Sequence, residues 1–470
     1  MTSEATIAPT VTESSPEDLA FQRFVLDLAL QPLDRFDGFD KIEQIAGSAL
    51  RYQLNFIGYG LSMAQYTRTP AFTGYLAEAQ RNAIRKMCDR RVWSYWATES
   101  LLGYARINTD PIRHANVMYT GYFGVMLGFY ETLNADDTFD RPGSLRLAWS
   151  RRTVHSYDFE RLCRAIRANM LERPNCPQYP CEPHLIYPIC NAFAFNTLLM
   201  HDRLHGTELT GDLIDRIRRS YLHDGWRTRS GRFIPGRLGP SLTISAPVLG
   251  YDGGMVAWLN ATMPDLARGT WHTIRDRFVR FDGQEVRLRG SARTRVDLGN
   301  YNMVNGDGMT RVFVATAAAE MGDTALAEAL NRSLTQNNRL VERAGARRYA
   351  GVSTTTNAHH VLARFNRPDG LRDLIRGVVP EQWRTGPILA DAAYPDVLVA
   401  KAVTDGAALD LVLRPGAGSR RVRLGLRRLI PGRDYAVSGA TEDAVRADLQ
   451  GEAVIEIDLG DRHPVRISPR

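Results

Sequence analysis

From Asp18 to about His360, apolar residues recur at spacings of three and four, the pattern of helices that bury one face. The segments 18–33, 41–66, 71–98, 111–133, 157–172, 190–205, 211–222, 247–262, 300–321, 323–337 and 355–364 read as helices. Their connections are mostly short and rich in Gly, Pro, Asp and Asn, which end helices and turn the chain. About eleven or twelve helices joined by short turns predict a mainly α chain folded as an α/α toroid, an (α/α)6-type barrel. A dinucleotide fold is excluded, because the sequence has neither a strand–helix rhythm nor a Gly-rich phosphate loop. Segment 226–246 breaks the helical pattern and is expected as a loop or hairpin over the toroid's mouth.

Between Pro387 and Pro395 the period changes from helical to two. The runs VLVAKAVTDG, ALDLVLRPG, RRVRLGLRRLIPG, DYAVSG, EAVIEIDLG and HPVRISP alternate apolar and polar residues and are separated by Gly, Pro and Asp. They predict a small antiparallel β-sandwich, expected as a structural cap or interface module. The expected organisation is therefore a disordered tail over 1–17, a helical catalytic domain over 18–389 and a β-domain over 390–470.

Composition narrows the class. With 44% hydrophobic and 24% charged residues the chain reads as an ordinary globular protein. The net charge is +7, but only Lys41, Lys86 and Lys401 are lysines, and the arginines are scattered among acids. The densest basic run, Gly418 to Arg428, alternates with apolar residues as the solvated face of a strand does. Nucleic acid is therefore not an expected partner. No run of eighteen apolar residues occurs, so no membrane span is expected. The polar start MTSEATIAPTVTESSPEDLA lacks the basic and apolar regions of an export signal. Five cysteines in 470 residues suit a reducing compartment, and a cytoplasmic location is expected.

Candidate chemistry concentrates between Pro174 and Gly206. Pro174, Pro177, Pro180, Pro183 and Pro188 force a stiff, extended loop. From Cys190 the pattern turns helical, and Gly206 ends it. Cys176, Cys181 and Cys190 fall in this stretch, with Glu182 beside the second. A thiol in the first turn of a helix feels the positive end of the dipole, which favours its thiolate. Inert buried thiols, acid/base or nucleophilic thiol chemistry, and a zinc site of Cys176, Cys181, His184 and Cys190 are all readings of this pattern. The spacings are irregular and lack a C-x2-C knuckle, which weighs against zinc.

CEPHLIYPICN followed by DRLHGT resembles the linalool dehydratase/isomerase family, which has C-E-P, a cysteine nine residues on, Asn, and then D-R-L-H-G-T. NVMYTGYFGVMLGFY at 116–130, RYQLNFIGYGL at 51–61 and GYDGGMVAWLNATMPDLA at 250–267 are similar to further blocks of that family, in the same order. The resemblance covers roughly residues 45–330. It implies the toroid fold, a pocket around residues matching Tyr52, Met118, Tyr251, Cys181 and Cys190, and a ring-shaped homo-oligomer. It also implies an upstream aspartate; among Asp34, Asp37 and Asp40 we assign Asp37. The family has a histidine where this chain has Tyr122, and tyrosine, with a pKa of about 10, is a poor base near neutrality. An extra cysteine pair of the family is missing here, since nothing before Cys88 is cysteine.

Two helices carry stripes at helical spacing: Tyr52, Phe56, Tyr59 and Met63, and Met118, Tyr122, Val125 and Phe129. Such stripes form plain core, or, on the inward faces of a toroid, the wall of an apolar pocket. His359 and His360 read as a helix surface or cap pair. Asp202, Arg203 and His205 read as a structural helix end, and Asn305 to Gly308 as a turn too poor in acids for calcium.

These readings combine into a cofactor-independent, metal-free lyase or isomerase acting on a neutral allylic terpenoid alcohol. Its expected catalytic residues are Cys181, Cys190, Tyr52, Tyr251, Glu182 and Asp37, with Met118, Tyr122, Phe56 and Asn191 holding the substrate. The alternatives are a glycan-active toroid enzyme, which needs an open polar cleft, and a non-catalytic binding toroid. A buried apolar site holding both thiols favours the first reading.

Overall fold

The computed structural model describes residues 9–41, 49–290 and 307–470. Its first helix begins where the sequence supplies a capping box. The Ser15 hydroxyl accepts the Asp18 N–H, the Asp18 carboxylate accepts the Ser15 N–H, and Pro16 stands at the first helical position. Helix α1 is Pro16–Ala29, followed by α2 Leu50–Arg68, α3 Gly74–Met87, α4 Arg90–Trp93, α5 Tyr95–Tyr104, α6 Val117–Asn134, α7 Phe159–Leu171 and α8 Pro188–His205. Then come α9 Leu213–His223, α10 Leu249–Leu259, α11 Pro264–Arg277, α12 Asp307–Glu320, α13 Thr324–Asn337, α14 Thr354–Phe365, α15 Gly370–Arg376 and α16 Glu381–Thr385. The chain is mainly helical, and no described helix is long and apolar enough to cross a membrane.

Six of these helices close a ring: α2 packs on α6, α6 on α8, α8 on α10, α10 on α12, α12 on α14, and α14 returns to α2. The sequence permits the close approach by placing small residues at the contacts. A Cβ added at Gly124 of α6 would lie 2.2 Å from Cγ2 of Thr197 on α8, and one at Gly253 of α10 would lie 3.0 Å from the Phe313 carbonyl of α12. Around the ring, α1, α3, α7, α11 and α13 pack outside. Within it, Phe193 stacks on Tyr122 at 3.8 Å, and Trp258 lies 4.2 Å from Phe193 and 5.3 Å from Tyr59.

One end of the ring is sealed. Short α15 touches α2, α6, α8, α10 and α12. Polar bonds fix the C-terminal ends of the inner helices there: Tyr66 of α2 donates to the Val378 carbonyl, Arg203 of α8 to Ile375, and Asn260 after α10 to Asp369. Glu320, the last residue of α12, accepts from Asn260, from Asn366 after α14, and from the Leu371 and Arg372 N–H groups of α15. The N-termini of the inner helices therefore lie together at the opposite end.

The C-terminal strands form two antiparallel sheets. One runs in the order 397–404, 409–415, 463–469, 434–438, 444–446, and the other 388–392, 420–427, 453–459. Strand 453–459 alternates buried and exposed residues throughout, as its period-two sequence predicts. Backbone bonds between Ala71 and Leu389 and from the Ala71 N–H to Ala402 join these strands to the α2–α3 turn.

Several boundaries differ from the sequence reading. The expected helix 71–98 breaks at Asp89, whose side chain accepts the Arg91 N–H and starts α4. Helix α11 was not expected, because its apolar positions are few and interspersed with Arg and His. The hairpins 145–157, 279–288 and 339–350 were likewise absent from the reading. Segment 226–246 contains the expected hairpin, which joins 185–186. Residues 1–8, the start of helix 41–66 at 42–48, and 300–306, with Asn305 and Gly306, lie outside the described residues. The expected tail 1–17 is anchored from Glu13 onward: Glu13 pairs with Arg414 and Arg462, and the Ser14 N–H donates to Ala400.

Candidate active site at the mouth of the helix ring

The proline-rich loop is held rigidly against the inner helices. Asn191 on α8 clamps it: its Oδ1 accepts the Tyr179 N–H at 3.0 Å, and its Nδ2 donates to the Tyr179 and Tyr187 carbonyls at 3.1 and 3.0 Å. The amide of Asn191 is thus spent on backbone, and its expected role in holding substrate is corrected to a structural one. The Val117 N–H at the start of α6 donates to the Pro180 carbonyl. A tight turn follows, with the Cys181 N–H on Leu185 at 2.8 Å and the Leu185 N–H on Glu182 at 3.0 Å. His184 takes a left-handed conformation within it, φ 66°.

Pro188 opens α8, which places Cys190 in its first turn. Cys181 and Cys190 are both buried, and the two thiols are close enough for Cys190 to influence the ionisation of Cys181. The Tyr122 hydroxyl stands 3.7 Å from the Cys190 sulfur, and the Tyr52 ring meets Tyr122 edge-on at 5.3 Å. From α10, the Tyr251 hydroxyl accepts the Ile189 N–H at 2.8 Å, which leaves its own proton free to donate. The sequence reading thus named six groups that converge here: both thiols, Tyr52, Tyr122, Tyr251 and Glu182.

Burial pushes the Cys181 thiol well up, with Cys190 and Glu182 adding to it and Arg51 opposing. Burial likewise raises Tyr52, Tyr122 and Tyr251 far above neutrality. Cys181 and the three phenols are therefore protonated donors at neutral pH rather than bases.

Arg51 is the main residue the sequence reading missed. Its guanidinium lies 4.6 Å from the Tyr52 ring centre, 3.9 Å from that of Tyr95, and 3.3 Å from the Met118 sulfur. Met118, expected to touch substrate, is in contact with this cation. An arginine in the first turn of a helix whose other charge is the terminal Arg68, and whose body is apolar and amide-bearing, was the available signal. Glu99 is the second omission, and here the signal was a single acid within YWATESLLGY.

The other expected residues fall elsewhere. Phe56 lies one turn deeper than Tyr52, stacked on His359 at 4.5 Å. That contact corrects the surface reading of the histidine pair. His359 and His360 are fully buried, burial pushes His359 down to about 3, and its Nε2 meets the Thr316 hydroxyl at 3.1 Å. Asp37 is exposed on a turn, and its backbone N–H and carbonyl are both engaged by the Gln31 side chain. It is not brought to the thiols. Asp40 instead ties the segment to the mouth, bonding Gln53 of α2 through its backbone and the Thr354 N–H of α14 through its carboxylate.

The zinc set is scattered: Cys176 points to the Gln178 carbonyl at 3.7 Å, and exposed His184 to the Gly103 carbonyl at 3.1 Å. Among the described residues, the group able to share one ion is Glu131, Asp140 and His205, at the far end of α6 and α8. Asp202 does not pair with Arg203; it accepts from Thr207, Leu209 and Thr210 and so caps the turn after α8.

The sequence model of a family described as linalool dehydratase/isomerase matches residues 51–355. Among solved structures, an unsaturated glucuronyl hydrolase specific for heparin shares 8% identity, over 74% of this chain and 95% of that one, with a TM-score of 0.44. An inactive variant of an α-1,6-mannanase of Salegentibacter sp. HEL1_6, in complex with α-1,6-mannotriose, shares 12% identity over 77% and 99%, with a TM-score of 0.45. Likeness at that distance bears on no question of chemistry.

Proposed function

The chain belongs to the linalool dehydratase/isomerase family, and from that premise we propose a cofactor-independent lyase or isomerase of a neutral allylic terpenoid alcohol. A proton passes to the substrate hydroxyl from a protonated donor at the mouth, Cys181 or a phenol beside it. The C–O bond breaks, water leaves, and an allylic cation remains. Loss of a C–H proton to an acceptor, Glu182 beside Cys181, gives an olefin. Return of water to the other end of the allyl unit, with loss of its extra proton to the same acceptor, gives the isomeric alcohol. Attack by a second double bond gives a cyclic cation that the same acceptor neutralises by taking a C–H proton. The aromatic faces of Tyr52 and Tyr122 suit the passing cation. Tyr251, whose hydroxyl has a proton to spare, orients the leaving oxygen.

In this reading the helical unit 18–389 carries the chemistry. The strands over 390–470 form a small sandwich that braces the helices outside the ring.

The observation that carries the proposal is the pair of buried thiols, with the Tyr122 hydroxyl 3.7 Å from the Cys190 sulfur and Tyr52 against Tyr122. Its test is Cys181→Ala and Cys190→Ala. Each should lower terpenol turnover at least about a hundredfold, the scale of a positioned acid or base. The circular dichroism should be unchanged, because prolines and Asn191 hold the loop. Wild-type turnover in either variant would remove the thiols from the mechanism.

A further inference from the structure

Helix α5 presents one face to the thiol loop. Tyr95, Glu99 and Gly103 stand four residues apart and share that face. Tyr95 lies beneath the Arg51 guanidinium at 3.9 Å. Gly103 is pressed onto the turn after Cys181: a Cβ there would lie 2.1 Å from that of Pro183. The next residue, Tyr104, packs its ring on His184 at 4.8 Å, and His184 Nε2 meets the Gly103 carbonyl. Glu99 sits between these two contacts, half-buried, and its Oε2 is buried without a hydrogen-bond partner among the described residues. Glu99 itself keeps partial contact with solvent.

We propose that Glu99 is the proton-exchange residue of this enzyme, passing protons between the buried Glu182–Cys181 site and the solvent that its own half-buried side chain reaches. This rests on the terpenol reading above. Each turnover leaves the proton donor at the mouth deprotonated and the acceptor protonated, so a proton must leave one and reach the other before the next. Glu99 supplies that exchange with no other bond changed: its carboxylate takes a proton from the acceptor side and releases it to water, and the reverse passage recharges the donor. The ionisable groups facing it are Arg51 from α2, Glu182 from the loop, Tyr95 on its own helix and Tyr187 before α8. Burial, with Glu182 adding and Arg51 opposing, pushes Glu99 up to about 7, where both of its forms are populated at neutral pH.

The experiment is a pH profile of linalool turnover by the full-length wild type, Glu99→Gln and Glu99→Asp, with thermal unfolding of each. Glu99→Gln should turn over about tenfold more slowly at pH 7, the lower part of the range for assisted proton transfer. It should also lack the ionisation near pH 7 that the wild type shows, and unfold at a similar temperature. Glu99→Asp should restore part of the rate and the ionisation. A Glu99→Gln profile that keeps that ionisation overturns the inference, whether its rate is normal or reduced, and leaves the terpenol reading standing. A wild type that leaves linalool unchanged overturns the terpenol reading, and this inference with it.

Discussion

The Tyr251 hydroxyl has a structural task beside the catalytic one proposed for it. Tyr251 caps the Ile189 N–H, so Tyr251→Phe should lower turnover and also cost about 1 kcal/mol of stability through that lost bond. Tyr52→Phe keeps the ring contacts with Arg51 and Tyr122 and should lower turnover comparably through the lost hydroxyl. Parallel rate and denaturation measurements check both, and unchanged turnover with lost stability would return either residue to the core. At this scale the thiols and tyrosines were legible because the CEPHLIYPICN block marks the thiols, the stripe spacing Tyr52 and Tyr122, and the GYDGGMVAWLNATMPDLA block Tyr251. Asn191 was not, since an amide that binds backbone and one that binds substrate have the same sequence signature. His359 was misread because local sequence does not tell an inner helix from a surface one. The stretch TTTNAHHVLARF carries no charge before Arg364, which fits an element buried all round.

Among elements, the ring depends on joints that periodicity does not reveal. Glu320 gathers the ends of α10, α12 and α14 onto α15 through four donated hydrogen bonds. Glu320→Ala would take one acceptor from each of two amides and leave two backbone N–H groups unpaired, and should destabilise by about 3 kcal/mol or more, read as a fall in the unfolding midpoint. A shift of the size usual for a surface substitution would remove Glu320 from this role. The far end of α6 and α8 supplies a pH effect. Burial, with Asp140 adding and His205 opposing, raises Glu131 from its ordinary range to about 7. Its stabilising contribution is thus full below its unfolded value near 4.5 and is lost as pH rises through about 7. The unfolding temperature should fall over that interval, and Glu131→Gln should flatten the fall. Helix existence was legible wherever apolar spacing ran long. The breaks at Asp89 and the helix at α11 were not, because a side-chain cap and a weakly amphipathic surface leave little periodic trace.

For the whole molecule, the period change near Pro387 marked where helices give way to strands. The closure of the ring and its sealing by α15 are long-range contacts that local patterns do not carry. A site at the mouth of such a ring, rich in phenols, thiols and aromatic faces, suits a neutral, largely apolar substrate. Each buried CH2 would contribute about 0.8 kcal/mol, so affinity should rise with isoprenoid length until the site is filled. The decisive measurement is incubation of the purified full-length protein with allylic terpenols of about ten to twenty carbons, with a chelator present and no nucleotide added. Loss of the alcohol with formation of an olefin, an isomeric alcohol or a cyclic product is the expected result. Terpenols all left intact, while an acidic polysaccharide is cleaved by the same preparation, would contradict it.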